Sequence, residues 1–124
     1  MIYLKIRIIT IHCIPNFGSV FQAYALCHYL QNNGYEDVSV IDYIPSYFNK
    51  VTLRSRLGRL LNIKAYKTRT EKFRKFIETH IPLTEKKYYS LDELKSLDSE
   101  ADVFIAGGDQ LWNVYHDCGK DDAY

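Results

Sequence analysis

The chain has 124 residues, 47% of them hydrophobic and 25% charged, which is one domain's length with enough apolar residues for a core and argues against disorder. Cys13, Cys27 and Cys118 are odd in number, far apart and form no CxxC pair, which argues against a disulfide framework or a thiolate zinc site and points to a reducing, cytoplasmic setting. The net charge of +1 conceals an asymmetry: ten of the 16 Lys and Arg lie between Lys50 and Lys75, where Glu71 is the sole acid, while acids dominate from Asp98 onward.

From the N-terminus, Ile2, Tyr3, Leu4, Ile6, Ile8 and Ile9 make a nearly continuous apolar, β-branched run, as in a strand covered on both faces of a parallel sheet. Lys5 and Arg7 interrupt it and no small-residue cleavage site follows, so it does not read as a secretory leader. No stretch reaches the roughly 18 apolar residues of a membrane span. His12 to Gly18 is a loop in which Pro15 cannot donate to a ladder and Gly18 can take a positive φ.

Ser19 reads as an N-cap with Gln22 completing a capping box, opening a helix with Val20, Ala23, Tyr24, Cys27 and Leu30 at helical spacing and a stop at Asn33-Gly34. Val38 to Ile41 is a second short strand ending at Asp42, so the opening unit is a strand, helix, strand crossover. Tyr43 to Asn49 is a connector containing Pro45. Val51 to Ile63 is a basic helix or mobile segment, and a clearer helix runs from Tyr66 through Phe73, Phe76 and Ile77 to His80, ended by Ile81-Pro82. Ser90 and Glu93 form a second capping box before Leu94 and Leu97, and Asp102 to Ala106 is a third, buried strand. A sheet of two or three parallel strands would leave an edge and apolar surface unpaired, so the pattern reads as a Rossmann-like α/β domain spanning 1–124 that is incomplete.

In such a sheet ligands bind beyond the carboxyl ends of the strands. The first loop, Asn16-Phe17-Gly18-Ser19, brings a glycine turn to the positive end of a helix, where backbone N–H groups can receive an anion; it lacks the GxxxxGK(S/T) and GxGxxG spacings, so taken alone a plain strand-to-helix turn is the favoured reading. The loop after the third strand, Gly107-Gly108-Asp109-Gln110 with Trp112 and Asn113, combines close backbone approach, a proton acceptor and an aromatic face suited to a sugar ring. Its alternative reading makes Asp109 a helix cap and Trp112 core. The eleven tyrosines suit a carbohydrate or partner surface, or a Tyr-rich core.

His12, His28, His80 and His116 are scattered without zinc spacing, so no metal is expected. Cys13 beside His12 suggests a nucleophile with its base, but adjacent side chains leaving a strand point apart and a buried thiol is the simpler reading. The segment Lys50 to Lys75 can meet nucleic acid or the surface of an anionic membrane as a peripheral contact; without interleaved aromatics nucleic acid is not expected, and a solvated helix face is the plain reading.

Three segments taken together resemble the polysaccharide pyruvyl transferase family: Ile8-Ile9-Thr10 followed by Asn16-Phe17-Gly18-Ser19-Val20-Phe21-Gln22-Ala23-Tyr24-Ala25-Leu26, then Val40-Ile41-Asp42-Tyr43, then Phe104-Ile105-Ala106-Gly107-Gly108-Asp109-Gln110-Leu111-Trp112-Asn113. The resemblance implies the N-terminal part of a two-domain, glycosyltransferase-B-like enzyme whose second domain is absent, so that the chain alone is inactive. It implies no cofactor, with phosphoenolpyruvate as donor and a saccharide or lipid-linked saccharide as acceptor. By the same resemblance Asp109 is general base or acceptor orienter, Gln110, Trp112 and Asn113 shape the pocket, and Asn16, Gly18, Ser19 and Gln22 line the first loop. The family commonly has a serine between Ala106 and Asp109; this chain has Gly107-Gly108. The competing reading is a non-catalytic interaction module or half of a split enzyme.

Overall fold

The computed structural model describes residues 2–49, 53–97, 100–108 and 110–124. Among them β1 (Ile2–Ile9), β2 (Tyr35–Tyr43), β3 (Leu83–Tyr88) and β4 (Val103–Ala106) form an all-parallel sheet in the order β3-β2-β1-β4. The helices are α1 (Phe17–Asn32), α2 (Leu53–Leu61), α3 (Ile63–His80) and the short α4 (Leu91–Leu94), with single 3₁₀ turns over Ser46–Asn49, Lys95–Leu97 and Asp117–Lys120.

The alternation of side chains along β1 divides the core. Ile6 and Ile8 face Val20, Ala23 and Cys27 of α1 together with Val38 and Val40 of β2, and Phe73, Phe76 and Ile77 of α3 pack at the margin. Ile9 points the other way, with Ile41, Tyr43, Tyr88, Leu94 and Leu97. Helices therefore cover both faces, which is why the central strands read as continuous apolar runs.

Four details differ from the sequence reading. The cap of α1 is Asn16, in extended conformation, whose side chain accepts from the Ser19 N–H at 3.2 Å; Ser19 is the third helical residue, not the cap. Gly18 consequently lies in the first helical turn and does not take positive φ, which among the described glycines belongs to Gly34 (φ 90°) and Gly108 (φ 146°). The sheet has four strands rather than two or three, because Leu83-Thr84-Glu85-Lys86-Lys87-Tyr88, polar through its middle, pairs with β2 at the edge. The strand before Gly107 is the opposite edge and mostly exposed, not buried: Val103, Phe104 and Ala106 meet solvent and Ile105 is half-buried.

The other helix and strand expectations hold with adjusted ends. Gly34 sits just past the Asn33 cap of α1, the position where positive φ favours glycine. β2 extends beyond Val38–Ile41 on both sides. The basic stretch is helical from Leu53, its first residues, 51 and 52, lying outside the described set. Ser90 caps α4 by accepting from the Glu93 N–H at 3.3 Å, and Glu93 Oε2 accepts from the Tyr89 N–H at 2.7 Å.

Candidate functional site

In the sheet order the chain runs outward from β1 through β2 to β3 on one side and then crosses from β3 to β4 on the other side of β1, so the crevice beyond the carboxyl ends of β1 and β4 is the switch point where open α/β sheets bind ligands. Ile9 pairs with Ala106, and the Gly107 N–H donates to the Ile9 carbonyl at 3.3 Å. The two loops singled out from the sequence thus leave the sheet side by side. Gln22 of α1 lies close to this junction: a Cβ built on Gly107 would stand 3.8 Å from Gln22 Nε2.

On the α1 side, Asn16, Phe17 and Gly18 are exposed and Ser19 is half-buried. Because the Asn16 side chain takes the Ser19 N–H and the Val20 N–H donates to the Asn16 carbonyl, the donors left at the positive end of this helix are the Phe17 and Gly18 N–H groups. A Cβ on Gly18 would lie 3.3 Å from Asn16 Oδ1, so the glycine leaves room for the cap.

On the β4 side, Asp109 lies outside the described residues. Its neighbours are organised by Leu111, which is buried with Ile11 and Cys118 in a third cluster, bordered by Ile14, Tyr47, Phe48 and Tyr124, above the ends of the strands. Gly108 is the hinge for this: at φ 146° it has the backbone that side chains disfavour, and a Cβ there would come within 3.0 Å of Leu111 Cγ. Asn113 Nδ2 donates to Gln110 Oε1 at 2.8 Å, Asn113 Oδ1 accepts from the Tyr115 N–H, and the Gln110 carbonyl accepts from Cys118 Sγ at 3.2 Å. Trp112 is 69% exposed, so it does not fill core; its ring is free for a ligand face. The structure therefore brings Asn16, Gly18, Ser19 and Gln22 to the same end of the sheet as Gly107, Gly108, Gln110, Trp112 and Asn113.

Beneath these loops the structure shows a pair that the sequence reading did not join. His12, 1% exposed, places Nε2 3.1 Å from Asp42 Oδ1 and Nδ1 3.2 Å from the Thr10 carbonyl. The ring thus bridges the Thr10 carbonyl and the Asp42 carboxylate, and its hydrogen bond to Asp42 joins the first loop to β2. Lys87 Nζ stands 4.0 Å from Asp42 Oδ2, and the Asp42 N–H donates to Thr84 Oγ1 at 3.0 Å. The signal was a polar residue just beyond each of two apolar strands, a sign that acquires meaning only once β1 and β2 are paired.

Cys13 stands beside this pair. Burial pushes its thiol up to about 11, with the Asp42 charge adding to the shift, which leaves it neutral and a poor nucleophile at ordinary pH. Further along, Tyr43 and Tyr47 both donate to Asp121 Oδ2 at 2.8 Å. They border a polar cleft of about 420 Å³ that Asp117 and Lys120 also line. Among the described residues no group of three His, Cys, Asp or Glu side chains could hold a metal ion, and no helix is long and apolar enough to cross a membrane.

The family model for polysaccharide pyruvyl transferase matches residues 16–124. Comparisons with curated proteins and with solved structures give no significant match.

Proposed function

The chain belongs to the polysaccharide pyruvyl transferase family, and on that premise we propose that its sheet-end crevice holds a saccharide acceptor while phosphoenolpyruvate supplies the group transferred. The observation that carries the reading is the meeting of the α1 N-terminus with the Gly107-Gly108 loop at the switch point of the sheet, within the matched residues. Two sugar hydroxyls add to the enol carbon of the donor, its methylene takes up a proton to become the methyl group, and the phosphate leaves, so the product is a pyruvate ketal.

In this reading Asp109 takes the proton of an attacking hydroxyl or orients it. Trp112 offers a sugar-ring face and Gln110 and Asn113, already bonded to each other, shape the wall. The Phe17 and Gly18 N–H groups at the positive end of α1 receive negative charge from the donor or its leaving group. The cations that balance the donor belong to a second Rossmann-type domain in a glycosyltransferase-B-like arrangement, and the reaction runs in the cytoplasm.

The test is phosphate release from phosphoenolpyruvate in the presence of saccharide acceptors. The polypeptide joining this sequence to its second domain releases phosphate, residues 1–124 alone do not, and Asp109→Asn lowers the rate by roughly 10² to 10⁴. Full activity in Asp109→Asn would remove the role given to that residue; ketal formation by 1–124 alone would remove the need for a second domain.

A further inference from the structure

The segment that carries most of the positive charge also exposes a cluster of apolar side chains. Leu57, Leu60 and Leu61 fall at i, i+3 and i+4 on α2, within one stripe about 100° wide, and are 63%, 66% and 84% exposed. Ile63, at the start of α3, is also exposed. Between α3 and the first turns of α1, Leu61, Ile63, Phe73 and Phe76 join Phe17 and Phe21 in an apolar groove of about 920 Å³.

Cations border the same surface. Arg56 is next to the leucine stripe on the helix, and Lys64, Arg69 and Lys72 line the groove. Arg69 is fixed there by donating to the Pro15 carbonyl at 2.7 Å, and Arg59 lies over the Tyr66 ring at 4.7 Å. The acid in this segment, Glu71, is held by Arg74, and among the described residues no acid pairs with Arg56, Lys64 or Lys72. A helix with exposed leucines on one stripe, arginines beside it and a largely polar remainder has the composition of an interfacial helix, its apolar face sunk to the acyl boundary and its cations at headgroup level.

We propose that α2 and the adjoining face of α3 dock this protein on an anionic lipid bilayer. Charge complementarity selects a negative partner, and the shape of the apolar surface selects a bilayer over an acidic peptide. A peptide seated in the groove would leave Leu57 and Leu60 wet, because both lie outside its lining. A bilayer covers them together with Leu61, Ile63 and the phenylalanines, and Arg56, Lys64, Arg69 and Lys72 meet the lipid phosphates.

The test is sedimentation of the full chain with vesicles of phosphatidylcholine containing about one third phosphatidylglycerol, against phosphatidylcholine alone. Binding to the anionic vesicles is expected, weakened by high salt and weakened roughly tenfold or more in Leu57→Glu/Leu60→Glu and in Arg56→Glu/Lys64→Glu. Circular dichroism confirms that each variant keeps its helices; the salt dependence of the unaltered chain stands as an independent readout if either does not. Equal binding to neutral vesicles, full binding by both folded variants, or capture of an acidic amphipathic peptide with no binding to vesicles would each overturn the proposal.

Discussion

His12 and Asp42 form a buried hydrogen-bonded pair, Nε2 to Oδ1 at 3.1 Å, between the loop that leaves β1 and the carboxyl end of β2. They are 30 residues apart in sequence and fasten the first loop of the candidate site to the sheet below it. Removing one partner leaves the other's polar group buried and unsatisfied, so Asp42→Ala is expected to lower stability by about 1–3 kcal/mol. His12→Ala should cost a similar amount and the double variant clearly less than the sum; urea denaturation of the three chains measures the coupling.

Three glycines near the site separate into two classes. At Gly108 a side chain meets both a disfavoured φ and Leu111, and at Gly119 a Cβ would fall 2.1 Å from the Asn113 carbonyl oxygen, which is backbone and cannot step aside. Gly108→Ala and Gly119→Ala are expected to destabilise by about 1–3 kcal/mol or more. At Gly107 a Cβ meets nothing nearer than Gln22 Nε2 at 3.8 Å, so Gly107→Ser should stay within about 0.5 kcal/mol in thermal denaturation. A serine is thus admissible at position 107 and strained at position 108.

The turn after the second strand is held to the end of the chain by Asp121, which accepts from the phenols of both Tyr43 and Tyr47. Hydrogen bonds to a charged acceptor contribute about 1.5–3 kcal/mol each. Asp121→Ala should therefore lower stability by about 3 kcal/mol, whereas Asp121→Asn, which keeps an acceptor oxygen, should retain part of it. Guanidinium unfolding of the two variants ranks them, and equal losses would remove the assigned bonding.

How much of this was legible follows from where the determining contacts lie. β1, α1 and α3 carry their periodicity within a single segment, so Ile6 with Ile8, Val20 with Ala23 and Cys27, and Phe73 with Phe76 declare their faces locally. β3 does not: Glu85, Lys86 and Lys87 face solvent, and Leu83 and Tyr88 acquire meaning only beside Val40 and Tyr43. The cap of α1 was misplaced because Asn16 and Ser19 are both good capping residues and only backbone geometry chooses between them. The two loops of the candidate site were visible as motifs; that Gln22 reaches Gly107 and that His12 meets Asp42 depends on strand register, which no local pattern contains.

Alkaline pH provides a further test. Burial pushes the thiols of Cys13 and Cys27 from 9.0 up to about 11, and it raises Tyr43 and Tyr47 above the ordinary phenol range with the Asp121 bonds and charge adding to the shift. Each group is neutral when protonated and holds its proton more tightly folded than unfolded. Their contribution to stability is therefore fully present below about pH 9 and is lost as the pH climbs toward about 11, since the unfolded chain releases protons first. Denaturation midpoints should be flat with respect to these groups near neutrality and fall through that window, and replacing Cys27 with Ala should shrink the fall while removing its own packing. At about pH 7 iodoacetamide should modify Cys13 far more slowly than a free thiol, in line with its raised pKa and partial burial. Rapid alkylation of the native protein would contradict the placement of Cys13 beside Asp42.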